Sequence, residues 1–327
     1  MKVLITGITG MVGSHLADYI LDHHPEAEVH GLIRWRSPLD NISHILGRIT
    51  THQGDLRDLN SLILVLRQVQ PDWIFHLAAQ SYVPVSFQAP ADTLATNAIG
   101  TTNLMDAVRV VGIDPLIHIC SSSEVYGQVE PDEVPINETN AFRPASPYAV
   151  SKASADLMAR QYFLSYGLRT IRTRMFTHTG PRRGDVFAES SFAKQIAEIE
   201  AGSRSNPVKV GNLASIRTVA DVRDAVRAYW LLLERCPPGE VYNIGGNETM
   251  TIGDILETLK GLATCPITHE VDPELLRPSD VTRQIPDVSK FHEATGWSPE
   301  IPVATTLSDL LDYHRRRIKQ TEVGVPA

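Results

Sequence analysis

The chain opens on Lys2–Thr6, a short apolar, β-branched run with no polar face. That is the pattern of a strand buried on both sides of a parallel sheet. Gly7–Gly13 is a glycine-rich turn, and from Val12 to His23 apolar residues recur at helical spacing. Glu28–Ile33 reads as a second strand, Asp58–Val69 as a helix ending near Pro71, and Asp72–Leu77 as a third strand. Thr93–Val110 has the spacing of a long amphipathic helix and Leu116–Ser121 that of a strand. Ser146–Tyr166 reads as a helix with Pro147 at its start, followed by a strand at Leu168–Met175. Strands alternating with crossover helices predict an α/β fold, a Rossmann-like doubly wound parallel sheet.

After about residue 176 the pattern loosens. Prolines and arginines cluster at Pro181-Arg182-Arg183-Gly184 and at Arg277-Pro278. Val219–Glu234 still reads as a helix, and Val241–Gly245 as a strand able to rejoin the main sheet. The expected division is a sheet domain of residues 1–175 plus about 214–246. A smaller, interleaved C-terminal α/β domain takes about 176–213 and 247–327. A chain of 327 residues is long enough for about two such units.

Composition narrows the function classes. Hydrophobic residues make up 43% and charged residues 21%, enough for a sizeable core and unlike a disordered chain. The formal net charge of −8 argues against a nucleic-acid partner. No run approaches the ~20 apolar residues of a membrane span, and the start reaches glycine too soon for a signal peptide. Three cysteines, Cys120, Cys236 and Cys265, lie too far apart to ligate a metal, so a reduced, cytoplasmic setting and no metal site are expected. Trp73 and Trp230 are expected in the core, and His23, His24 and His30 at the surface or an interface.

Chemistry enters with the turn. Gly7, Gly10 and Gly13 are spaced G-x-x-G-x-x-G between a strand and a helix. Glycine allows a pyrophosphate to approach the backbone, and the helix N-terminus supplies N–H donors and partial positive charge. The end of the second strand distinguishes dinucleotides. An acid there binds the ribose 2′-OH of NAD, whereas arginine suits the 2′-phosphate of NADP. Here Arg34 and Arg36 stand and no acid does, so NADP is expected, with NAD the alternative. Asp55 is a candidate acceptor for the adenine amino group, or a turn residue.

Tyr148 and Lys152 stand at i and i+4, on one face of a helix. An ammonium beside a phenol lowers its pKa from ~10, which would let Tyr148 exchange a proton with a hydroxyl or keto oxygen. Ser122 and Glu124 follow a strand, where the ligand crevice of an open α/β sheet lies. The serine can hydrogen-bond the reacting oxygen, and the carboxylate can act as a second acid or base.

With these residues in view, the chain resembles the extended short-chain dehydrogenase/reductases, in the branch that handles nucleotide sugars. The resemblance rests on Thr6-Gly7 with Gly10 and Gly13, His76-Leu77-Ala78-Ala79-Gln80, Asn97-Ala98-Ile99-Gly100-Thr101, Ser121-Ser122-Ser123-Glu124, and Tyr148 with Lys152. Within that branch it is most similar to the GDP-mannose 4,6-dehydratases and the GDP-4-keto-6-deoxy-D-mannose reductases, through Ala79-Gln80-Ser81-Tyr82-Val83 with Ser86-Phe87, Pro181–Gly184 with Phe187, Gly211-Asn212-Leu213 with Arg217, and Leu276–Val281.

The resemblance implies Ser122, Glu124, Tyr148 and Lys152 as catalytic. It implies cofactor contacts from Gly7, Thr9, Gly10, Met11, Val12, Gly13, Arg34, Arg36, Asp55, Leu56, Leu77, Ala78, Ala79 and Gln80, with Tyr148 and Lys152. For a GDP-sugar it implies Ser81, Ser86, Thr177, His178, Arg183, Asn212, Arg217, Arg277 and Asp280. Arg183, Arg217 and Arg277 are its diphosphate candidates, since a guanidinium forks onto phosphate. The sequence departs from the dehydratase pattern at Thr177 (in place of Asn) and Thr218 (in place of an acid). It also lacks an Arg-Lys pair in Ala188–Ser191. The expected reaction is conversion of GDP-mannose to GDP-4-keto-6-deoxy-mannose, with 4-ketone reduction and 4-epimerisation as alternatives. A homodimer or homotetramer is implied.

Overall fold

The computed structural model describes residues 1–276 and 281–322. β1 (Lys2–Thr6) passes through the glycine turn into α1 (Met11–His23) and β2 (Glu28–Ile33). β3 (Thr50–Gln53), α2 (Leu59–Val69) and β4 (Trp73–His76) follow. α3 (Val83–Gln88) and α4 (Pro90–Leu94) lead through a π-helical turn at Ala95–Ile99 into α5 (Gly100–Val111). β5 (Leu116–Cys120), α6 (Pro147–Tyr166) and β6 (Thr170–Met175) complete the regular alternation.

Beyond them come β7 (His178–Thr179), α7 (Ala188–Glu200), β8 (Val208–Val210), β9 (Ile216–Asp221) and α8 (Val222–Arg235). β10 (Val241–Ile244), β11 (Glu248–Thr251), α9 (Ile252–Gly261), β12 (His269–Val271), β13 (Arg283–Gln284), α10 (Ser289–Thr295) and α11 (Val303–Glu322) end the chain order.

Among the described residues the main sheet runs β3-β2-β1-β4-β5-β6-β10, with every neighbouring pair parallel. The strand order reverses between β1 and β4, which opens a crevice beyond their carboxyl ends. β10 rejoins this sheet as the sequence pattern expects. β9 instead organises a smaller sheet with β7, β11 and β13, while β8 pairs with β12.

Each face of the main sheet is sealed by apolar packing. Leu16, Ile20, Ala225 and Leu232 cover one face, and Leu62, Leu66, Leu104 and Val108 the other. Each fully buried leucine or isoleucine contributes about 1.5–3 kcal/mol. A separate cluster joins Phe192 and Ile196 of α7 to Leu256 of α9 and Leu307 of α11. Trp230 is buried and Trp73 packs against it, ring centroids 4.8 Å apart. His24, expected outside, stacks on Trp230 at 3.8 Å and is half-buried.

Two helix boundaries differ from the sequence reading. Val219–Asp221 belongs to β9, not to the following helix. Asp221 then caps α8, its carboxylate accepting the Arg223 N–H at 2.7 Å. Thr93–Val110 is helical but not uniform. The π turn rotates Asn97 inward, where its Nδ2 donates to Gln80 O and its Oδ1 accepts from Gln80 N, both at 2.8 Å.

Candidate active site

A cavity of about 820 Å³ lies over the carboxyl ends of β1, β4, β5 and β6 and reaches the smaller sheet. It gathers most of the residues singled out in the sequence, from segments far apart in the chain.

The cofactor side is built on Gly7–Gly13. Gly7 has φ +73°, and a Cβ there would sit 2.8 Å from the backbone of Ala78. A Cβ at Gly13 would come within 2.3 Å of Gly7 O. The glycines therefore let the turn fold tightly on itself and on the segment after β4. Gly10 caps α1 without any side-chain partner, so the first N–H groups of the helix remain available at the cavity. Thr9, Met11 and Val12 line the same wall. These residues fit a dinucleotide diphosphate.

Of the two arginines after β2, Arg34 lines the cavity. Arg36 does not; its guanidinium lies over the exposed Trp35 ring at 4.5 Å. Asp55 and Leu56 line the wall, but Asp55 is already engaged, accepting the Arg57 N–H at 2.9 Å and facing the Arg57 guanidinium at 3.4 Å. Burial pushes the Asp55 carboxyl up, yet the Arg57 hydrogen bonds outweigh it and hold it below the ordinary carboxylate value. The turn role considered for Asp55 is thus the one its contacts fill. Leu77, Ala78, Ala79 and Gln80 also border the cavity, and the Leu77 and Ala78 N–H groups both donate to Thr6 Oγ1 at 3.1 Å.

Ser146 caps α6 through a hydrogen bond from the Ala149 N–H at 3.1 Å, which starts the helix so that Tyr148 and Lys152 face β5. Ser122 accepts the Glu124 N–H at 3.2 Å, and its hydroxyl lies close enough to the Tyr148 phenol to favour the phenolate. Glu124 is partly exposed to the same cavity. Among the described residues its carboxylate has no protein partner.

The expected Lys152–Tyr148 coupling is corrected. Lys152 Nζ donates to Cys120 O at 2.8 Å, and burial lowers its pKa. Burial raises the Tyr148 phenol above its ordinary value, outweighing the pull of Ser122 and of the Arg183 charge.

The opposite wall carries Ser81, Thr177, His178, Arg183, Asn212 and Arg217. Burial and the nearby Arg183 charge bring His178 down to about 4, so it is neutral near pH 7. Arg217 donates to Ile216 O and Val281 O at 2.8 and 2.7 Å. Ser86 does not reach the cavity; it is fully buried and its hydroxyl donates to Val83 O at 2.6 Å, tying off α3. Arg277 and Asp280 lie outside the described residues.

Sequence reading missed Arg57, Lys209, Glu189 and Gln284, all in the cavity wall. Only the fold brings them there, and no motif marks them.

The fold and this arrangement define a Rossmann-type enzyme of the short-chain dehydrogenase/reductase class. More narrowly, the chain belongs to the family described as GDP-mannose 4,6 dehydratase, whose model matches residues 4–310. It is 32% identical to a GDP-6-deoxy-D-mannose reductase of Pseudomonas aeruginosa over 98% of this chain and 99% of that protein. It is 33% identical to a GDP-mannose 4,6-dehydratase of Yersinia enterocolitica over 98% of this chain and 95% of that one. The structure of RMD from Pseudomonas aeruginosa complexed with NADPH superposes with a TM-score of 0.83 at 32% identity, covering 97% of this chain and 99% of that one. Among the described residues no helix is long and apolar enough to cross a membrane, and no cluster of three metal-ligating side chains occurs.

Proposed function

We propose that this chain is a cytoplasmic, NADP-dependent 4,6-dehydratase acting on GDP-mannose. The observation that carries the reading is Glu124: a carboxylate with no protein partner among the described residues, in the same cavity as Ser122 and Tyr148. Residues 1–175 with about 214–246 hold the cofactor in this reading, and about 176–213 and 247–327 the sugar nucleotide. Gly7–Gly13 would hold the cofactor's diphosphate, and Arg34 its 2′-phosphate. When bound, the nicotinamide supplies the acceptor and donor of hydride.

The chain's own residues supply the rest. Ser122 orients the 4-hydroxyl toward Tyr148, whose phenolate oxygen takes its proton as C4 becomes a ketone. Burial makes an isolated Tyr148 phenolate costly. The step needs that phenolate, which Ser122 and the Arg183 charge favour against burial. Lys152, anchored on Cys120 O, fixes the floor of the pocket. The ketone acidifies C5–H, Glu124 removes that proton, and the 6-hydroxyl leaves as water after protonation by the same carboxyl. Reduction at C6 and a proton taken from solvent at C5 complete GDP-4-keto-6-deoxy-mannose, the O4 proton passes from Tyr148 to solvent, and there is no net redox change.

A second reading, 4-ketone reduction, is favoured by the full-length likeness to the Pseudomonas reductase. It uses Tyr148 as the acid and needs no C5 base. Incubation with GDP-mannose and catalytic NADP⁺ separates the two. Loss of one water without accumulation of NADPH is expected. Inertness toward GDP-mannose, with NADPH consumed only when the 4-keto-6-deoxy sugar nucleotide is supplied, would establish the second reading instead.

A further inference from the structure

Glu189 opens the first turn of α7 and lines the cavity, yet its side chain is only 7% exposed. Its Oε1 is sealed from solvent and accepts no hydrogen bond. Its charge partner is Arg183, whose Nε lies 3.5 Å away, buried and likewise without a hydrogen bond. The Arg183 guanidinium is pinned over the Phe187 ring at 3.6 Å and lies close enough to Tyr148 for its charge to act on the phenol. A buried ion pair with unmet hydrogen bonds is expensive to keep, and removing either member strands the other. Both residues also line the cavity, where a ligand can supply further partners to the pair.

The chemistry of the pair says which partners. Glu189 offsets the Arg183 charge, so the site is close to neutral and does not suit the diphosphate for which Arg183 first stood as a candidate. An acceptor beside a fork of donors suits neutral hydroxyls. We infer that Glu189, held by Arg183, accepts a hydrogen bond from a sugar hydroxyl next to the reacting carbon and so sets hexose specificity. The inference rests on the functional reading above. Tyr148 serves O4 and Glu124 serves C5, which leaves the 3-hydroxyl as the neighbour to be read.

The test compares Kd values for GDP and GDP-mannose, measured calorimetrically with NADP⁺ present in a Tyr148→Phe background that halts turnover. With Glu189→Ala, the affinity that mannose adds over GDP alone should fall at least about tenfold, the scale of a hydrogen bond to a charged group. Affinity for GDP itself should not change. Glu189→Gln, which keeps an acceptor oxygen, should restore part of the loss. GDP-3-deoxymannose should bind the parent weakly and the Ala variant no worse, as the two deletions remove one interaction. An unmoved GDP to GDP-mannose ratio overturns the inference. So does an equal loss for both ligands, which marks a merely structural carboxylate. If the wild-type chain turns over no GDP-sugar at all, the functional reading fails and takes the inference with it.

Discussion

Two polar layers approach Tyr148 from opposite sides. Under the glycine turn, Thr6 Oγ1 accepts the Leu77 and Ala78 N–H groups, so its own proton goes to His76 Nδ1 at 2.9 Å. Thr101 spends its proton on Asn97 O at 2.5 Å, so it must accept from His76 Nε2, also at 2.9 Å. Asn97 continues to Ser151 Oγ at 2.9 Å, and Ser151 to the Tyr148 carbonyl at 2.7 Å. This chain of bonds fixes a neutral His76 in one tautomer and couples the turn to the helix of Tyr148 and Lys152. Across the cavity, Arg183 Nε, Glu189 Oε1 and Gln284 Nε2 are buried without hydrogen bonds. A saturated layer is a frame that needs nothing more, whereas an unsaturated one is shaped for a partner. In the proposed reading, the cofactor side is built in advance and the sugar side is completed by the ligand.

The most damaging break lies where the layers meet. Tyr148→Phe should leave binding of cofactor and GDP-mannose intact and cut turnover by about 10²–10⁴-fold, the usual worth of a positioned acid–base group. Single-turnover kinetics with parallel binding measurements check it.

Acid should come next. Burial brings His76 and His118 to about 3, and His15, His178 and His314 to about 4, against 6.5 in an unfolded chain. The folded state keeps them neutral while the unfolded state protonates. Stability should therefore be complete above about pH 6.5 and decline as pH falls toward 4, by about 1.4 kcal/mol per pH unit for each histidine. Urea midpoints at pH 7.5 and pH 5 test the direction.

A smaller, more discriminating pair of substitutions contrasts the layers directly. Thr101→Val strands His76 Nε2–H and should cost about 1–3 kcal/mol of stability. Replacing the opposite pair together, Arg183→Met with Glu189→Leu, should leave stability unchanged or raised while weakening GDP-mannose. Urea unfolding of both proteins decides it, and equal destabilisation would erase the distinction.

The legibility of the molecule follows the same divide. The frame is local: β1, the glycine turn, the helix of Tyr148 and Lys152 and the strand before Ser122 are each written in one segment with its own periodicity. The structure gives them back with boundaries shifted by a residue or two. The sugar wall is assembled from side chains that meet only after folding. Ser86 was misplaced because its motif is read in one dimension, while α3 turns its hydroxyl onto Val83. Arg36 was misplaced because strand alternation after β2 ends at a turn that swings it over Trp35. Glu189 carries no signal in sequence: an acid in a first helical turn usually serves the helix dipole. Lys152 sat correctly on the helix, but its expected action on Tyr148 depended on where Nζ points, and Nζ points to Cys120 O.

In the dehydratase reading Glu124 moves the C5 proton. The direct measurement is incubation of the wild-type chain and Glu124→Gln with GDP-mannose and NADP⁺ in D₂O, followed by mass and NMR of the product. The wild-type product should have lost one water and carry one solvent deuterium at C5. The variant should bind GDP-mannose yet release neither water nor deuterated product. Water loss by Glu124→Gln at the wild-type rate, or a wild-type product without deuterium at C5, would contradict it.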